Sequence, residues 1–313
     1  MRRGYDESQL VKAARKRTSV SALLIFIAIP LVIGLGAFFS NGRNYIMISL
    51  IVLLLTMLPF FMVFERRKPK AREIVLIAVM CAITVCANLL CHITIPLKAG
   101  TAIIIACGIA LGPEAGFLIG ALSRFTFNFY TGQGPWTPWQ MFCWGLLGFL
   151  AGLAFNRANL EKKNSRDFRA VMGPVVCVIF SVLVAYISYV LFPPADGSTF
   201  LGWRLYIFGA IGILLGVILQ KKRLPVDDIT LTVFTFFTTF ILYGGLMNLF
   251  ALFSSAGIPG NPEVSWETLK IYYISGAPYD FSHALAAAVC NLIFGEKLIQ
   301  KLERIKLKYG IYR

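Results

Sequence analysis

Apolar positions in this chain come in long runs, broken by short stretches of Gly, Pro and Asn or by clustered Lys and Arg. Residues 20–39 form one run of 20, long enough to cross a bilayer as a helix. Ser40-Asn41-Gly42-Arg43-Asn44 turns the chain, and residues 45–64 run back. Further spans are expected at 73–91, at 101–112, as two helices within 115–155, and at 171–192, 200–219, 229–253 and 281–298. Residues 254–279 read as a long outer loop, and the tail after 298 as a basic helix. The run at 101–112 would reach only about 18 Å as a helix, against a hydrocarbon core of about 30 Å. It is either extended by its loop or a short helix beside a cavity. The pattern predicts an all-α integral membrane protein with about ten transmembrane helices.

The stretch 115–155 organises the rest. Two apolar helices flank residues 130–138, where two Gly and two Pro force a turn between spans. Polar groups crowd that end of both helices: Arg124, Asn128, Tyr130 and Gln133 on one, Trp136, Trp139, Gln140 and Trp144 on the other. A charge and amides at membrane depth are costly unless they face protein, water or a ligand. Aromatic planes with a few hydrogen-bonding groups suit a small-molecule pocket. Trp and Tyr also serve as plain interfacial anchors, so the two readings stand side by side.

Composition sharpens the class. With 58% hydrophobic and 14% charged residues, the chain belongs in a membrane. Of its 30 Lys and Arg, 25 fall in segments 1–19, 65–72, 156–169, 221–223 and 297–313. By the positive-inside rule these are cytoplasmic, as are both termini, and the net charge of +15 needs no nucleic-acid partner to explain it. No cleavable signal peptide is expected. The seven cysteines lie in apolar runs without a CxxC pair and read as packing residues.

Chemical machinery is missing. There is no GxxxxGK[ST] for nucleotide phosphates, no HExxH, no GxSxG, and only two histidines, His92 and His283. Intramembrane acids are too few for a proton relay. No cofactor or metal is expected, and the chain is not expected to be an enzyme. What remains is a ligand-facing outer surface without an engine.

At this point two stretches and one motif resemble the substrate-binding S components of energy-coupling factor (ECF) transporters. GFLIGALSRFTFNFYTGQGPWTPWQMFCWGLLGFLAG, residues 116–152, is similar to the family's third and fourth helices. APYDFSHALAAAVCNLIFGEKLIQKLERIKLKYG, residues 277–310, is similar to its last helix and basic tail. Ala78 and Ala82 match the AxxxA motif of the first core helix, where small residues admit a neighbouring helix closely. The resemblance implies a six-helix S-component-like core in 73–313, preceded by a basic segment and transmembrane hairpin in 1–72. A further hairpin at about 168–225 looks inserted. It implies high-affinity uptake of a vitamin or related micronutrient across a prokaryotic plasma membrane. A scaffold transmembrane subunit would meet Ala78 and Ala82, and two separate ATPase subunits would supply the energy. The ligand stays open among ring-containing molecules, and the long outer loop would suit one as bulky as cobalamin. The rivals are a self-sufficient secondary permease, a lipid-acting membrane enzyme, and a scaffold without ligand.

The candidate substrate-binding residues are Arg124, Asn128, Tyr130, Gln133, Trp139, Gln140, Trp144, Asn248, Asp280 and His283. Arg124 pairs either with a ligand acceptor or with a helix carbonyl or Asp280. Asn128 lies one turn further on the same helical face. Trp136 and Trp139 read first as interface anchors, Trp144 as the deeper pocket residue. Asp280 and His283, three apart, share a face. Tyr243 and Asn248, five apart, are not expected to face one pocket together, and the amide ranks higher because a buried amide needs a partner. Glu263 and Glu267 read as solvated loop charges.

Overall fold

The computed structural model describes residues 70–94, 98–155, 168–193, 203–219, 224–262 and 264–311, with Ile51 besides. The expected hairpin at 20–64 lies outside the described residues apart from Ile51. Eight continuous helices and no strand are present among the described residues, and two of the ten expected spans, 20–39 and 45–64, fall outside them. They are α1 (Ala71–Thr94), α2 (Ala99–Leu111), α3 (Pro113–Thr131), α4 (Trp136–Ala154), α5 (Phe168–Leu191), α6 (Trp203–Leu219), α7 (Asp228–Ala256) and α8 (Trp266–Tyr309). Among the described residues three stretches are long and apolar enough to cross a membrane, Ala71–Cys91, Asp228–Ala256 and Trp266–Tyr309. Shorter apolar helices occupy Ala99–Leu111, Val175–Leu191 and Trp203–Gly216.

The distribution of side chains inverts that of a water-soluble bundle. On α1, Ile74, Val75, Val79, Ile83 and Leu90 are exposed, while Thr84 and Asn88 are buried. Asn128, Asp280, His283 and Asn291 are buried elsewhere, and α5 exposes Ile179, Phe180, Leu183, Ile187 and Leu191. Apolar surface of this extent is stable only against lipid or a partner. Polar groups turned inward are what a hydrocarbon surround requires.

The 13-residue α2 is the axis of the fold, buried at every position from Gly100 to Leu111. At about 20 Å it is shorter than the hydrocarbon core, so its first turn lies sunk among its neighbours. α2, α3 and α4 approach backbone to backbone. A Cβ at Gly148 would strike the Gly116 carbonyl, and one at Gly108 would strike that of Gly148. At the opposite end of α2, the buried Lys306 donates from Nζ to Ala110 O at 2.7 Å and to Glu303 Oε1 at 2.7 Å. An ammonium at a helix C-terminus meets both free carbonyls and the negative end of the dipole. This contact docks the basic tail against the core.

The chain leaves this core at Phe155 and returns at Leu224, where the two residues pair and Leu224 N donates to Ala154 O at 2.8 Å. Helices α5 and α6 lie between these adjoining points as a hairpin. The hairpin packs through α6, which contacts the middle of α7 and the first half of α8.

Two expectations need correction. The loop expected at 254–279 is only the short segment between α7 and α8, because helix resumes at Trp266. Ser265 and Thr268 form a capping box there, each side chain bonding the other's backbone N–H, which starts a helix that runs on through Pro278. Glu267 is exposed in the first turn of this helix, and Glu263 lies outside the described residues. Secondly, α7 is not a uniform α-helix: Thr238–Gly244 is π-helical, as is Asn291–Gly295 in α8.

Candidate functional site

The turn between α3 and α4 is closed by the polar residues that drew attention in the sequence. Asn128 is fully buried; its Nδ2 donates to Thr137 Oγ1 and to Gln140 Oε1, both at 3.0 Å, and its Oδ1 accepts from Thr131. Gln133, although exposed, donates to Phe125 O at 3.0 Å and accepts from Thr137 at 2.9 Å. Both amides are thus tied into the turn. Trp136 is exposed and donates to Gly132 O, as an anchor would. Trp139 is placed differently from the anchor expectation. It is 1% exposed, lying between Phe250 and Phe253 of α7, because its position on α4 faces the bundle. Tyr130 is largely exposed beside Phe127.

Arg124 stands at the edge of this turn and looks away from it. Its Nε donates to Gln140 Oε1 at 2.7 Å, and its guanidinium lies 4.3 Å from the centre of the Trp144 ring. One amide oxygen therefore serves both Arg124 and Asn128, fixing the guanidinium plane. Among the described residues no partner reaches the two terminal nitrogens of Arg124. The expected alternative of a bridge to Asp280 does not form.

Trp144 continues the site inward. Its Nε1 donates to Thr101 Oγ1 at 3.1 Å, in the first turn of α2, and Thr101 Oγ1 lies 3.1 Å from His283 Nε2 on α8. An indole only donates, so the Thr101 hydroxyl accepts from it and has its own proton free for His283 Nε2. That assignment places the remaining imidazole proton on Nδ1, a buried atom with no partner among the described residues. A buried donor left unmade is costly unless a water or ligand meets it. Tyr243 of α7 stacks near Trp144 at 6.1 Å between ring centres and meets His283 edge-on at 4.6 Å.

A second polar node adjoins the first along α8. The buried Asp280 accepts through Oδ2 from Tyr206 Oη at 2.6 Å and from Asn248 Nδ2 at 2.8 Å. Its Oδ1 has no hydrogen-bond partner among the described residues. Gly244 makes the approach possible, since a Cβ there would lie 2.5 Å from the carboxylate carbon. Tyr273 Oη donates to Gly245 O at 2.9 Å, holding the same segment.

Sequence reasoning separated Tyr243 from Asn248 by assuming α-helical pitch. The structure sets both against α8 but at different points, Tyr243 on the His283 ring and Asn248 on the Asp280 carboxylate. Thr101 and Tyr206 were missed altogether. Each is one hydroxyl in an apolar helix, with no local signal that its partner lies across the bundle. Arg124, Gln140, Trp144, Tyr243, His283 and, next to them, Asp280 and Asn248 form the assembled site. It offers donors at Arg124 and His283, an acceptor at Asp280, and aromatic walls between. Among the described residues no group of three or more His, Cys, Asp or Glu side chains could hold a metal ion.

Residues 68–201 match the model of a family described as ECF-type riboflavin transporter, S component. The matched segment, less than half of the chain, runs from the start of α1 through α5. It includes the first helix of the hairpin and stops before α6 to α8, where Tyr206, Tyr243, Asn248, Asp280 and His283 lie. No curated protein and no solved structure matches the chain.

Proposed function

We propose that this chain is an S component of the ECF class, a reading supported by its match over residues 68–201, and that it captures riboflavin or a closely related ring-bearing micronutrient at its outer face. It hands the ligand to a scaffold subunit driven by two separate ATPases, in the plasma membrane of a prokaryote with both termini cytoplasmic. The observation that carries the reading is the juxtaposition of Arg124 on Trp144 with Tyr243, His283 and Asp280. A flavin has a flat ring with carbonyl acceptors and a hydroxylated chain. The free guanidinium edge suits its acceptors, Asp280 suits a hydroxyl or N–H, and the aromatic walls suit its ring. A cobalamin-sized ligand loses its argument with the shortened outer loop. Titration of the purified chain with riboflavin, followed by quenching of flavin fluorescence, should saturate at one ligand per chain. A flavin signal that never changes would remove riboflavin as the ligand.

The partner face is proposed on α1. Ala78 and Ala82 are both exposed there, one turn apart, between Val75, Val79 and Ile83. Small residues in an apolar stripe let another helix come close. Ala78→Leu and Ala82→Leu should each reduce recovery of the scaffold subunit in a pull-down while leaving riboflavin affinity within about twofold of the parent. That is a change below ~0.5 kcal/mol. Undiminished recovery with both variants would move the interface elsewhere.

A further inference from the structure

The hairpin of α5 and α6 contributes directly to the polar node beside the proposed ligand site. Tyr206, in the first turn of α6, is 3% exposed. Its ring stacks on Phe240 of α7 at 5.2 Å and meets Tyr273 of α8 edge-on at 4.8 Å. Its hydroxyl reaches Asp280 at 2.6 Å. Around it α6 is fitted closely to the same two helices: Gly209 lies against Ile241, and Trp203 packs on Trp266 at 4.6 Å. A tyrosine placed only to fill space would not need its hydroxyl aimed at a buried carboxylate. The carboxylate is also held asymmetrically, since Tyr206 and Asn248 both donate to Oδ2 while Oδ1 accepts from nothing among the described residues. Two donors on one oxygen fix the carboxylate plane and leave the other lone pairs for a further donor.

We propose that Tyr206 is a positioning residue of the ligand site, holding Asp280 through Oδ2 so that Oδ1 accepts one hydrogen bond from a hydroxyl or N–H group of the bound ligand. The inference rests on the ligand-capture reading above and makes the α5–α6 hairpin part of the site, so that removing it costs recognition as well as packing. It also assigns the site a donor requirement: a ligand of equal shape without a hydroxyl or N–H at that point binds less well.

The test uses the full chain with riboflavin as the probe. Tyr206→Phe keeps the ring contacts to Phe240 and Tyr273 and removes only the hydroxyl. It should weaken riboflavin binding about tenfold, and Asp280→Asn by tenfold or more. If Tyr206 acts through Asp280, the double variant should bind no more weakly than Asp280→Asn alone. Losses that multiply in the double variant, or a Tyr206→Phe protein that binds like the parent, overturn the proposal. An infrared difference spectrum of parent minus Asp280→Asn isolates the Asp280 carboxylate band without ligand. Tyr206→Phe should shift that band, and an unshifted band refutes the positioning role even if riboflavin fails to bind. Failure of the parent to bind riboflavin overturns the flavin reading by itself, and the band then decides whether Tyr206 holds Asp280.

Discussion

Gly148→Leu should yield no folded, monodisperse protein, and Gly148→Ala should lower thermal stability in detergent by about 1–3 kcal/mol or more. The reason is the contact at Gly148, where α4 meets the backbone of α3 at Gly116 with Ile104 of α2 close by. An added side chain finds a neighbouring carbonyl group there, and backbone inside two packed helices has no rotamer into which it can retreat. Helix association in a membrane gains little from hydrophobicity, because lipid is as apolar as the core, so close backbone packing carries the stability. A substitution on the exposed side of α3, Leu122→Ala at a position 37% exposed, should leave the melting temperature almost unchanged. Thermal unfolding by light scattering or tryptophan fluorescence checks both. A well-folded Gly148→Leu protein would mean that the three-helix packing is looser than described.

Arg124→Ala should weaken riboflavin binding roughly ten- to a hundredfold, the effect of losing one charged hydrogen bond worth about 1.5–3 kcal/mol. The guanidinium is oriented by Gln140 and by the Trp144 ring, and its two terminal nitrogens point free of protein partners among the described residues. Asn128→Ala acts only through Gln140 and should cost tenfold or less, together with some stability, because Thr137 and Gln140 lose a shared donor. Trp136→Ala is the control. Its indole is exposed and bonds only Gly132 O, so affinity should hold. Equilibrium titration on monodisperse protein separates loss of binding from loss of fold. A folded Arg124→Ala protein with parental affinity would make Arg124 a structural clamp on Trp144.

How far the sequence could be read depended on the range of the interaction. The helices from α1 to α6 follow from apolar runs and their basic or Gly-Pro breaks, which are local. The 12-residue run at 101–112 already posed the choice that the structure resolves in favour of a short, sunken α2. The start of α8 was readable in principle, since Ser265 and Thr268 stand three apart ahead of a helix. Pro278 and the polar residues around it masked that signal. The pairing of Asn128 with Gln140 follows from two facing helices and one turn. The meeting of Trp144 with Thr101 and His283 draws on three helices far apart in the chain, and no periodicity encodes it. The π-helical segment in α7 has no sequence signature either.

The proposed function requires that the chain bind its ligand yet not drive it inward by itself. Proteoliposomes decide it most directly. Vesicles with the chain alone should bind riboflavin stoichiometrically and accumulate none, with or without ATP or an ion gradient. Vesicles that also contain the scaffold and both ATPase subunits should accumulate it when ATP is inside the compartment that the ATPases face. Accumulation above the bound amount by the chain alone would contradict the claim and establish a self-sufficient permease.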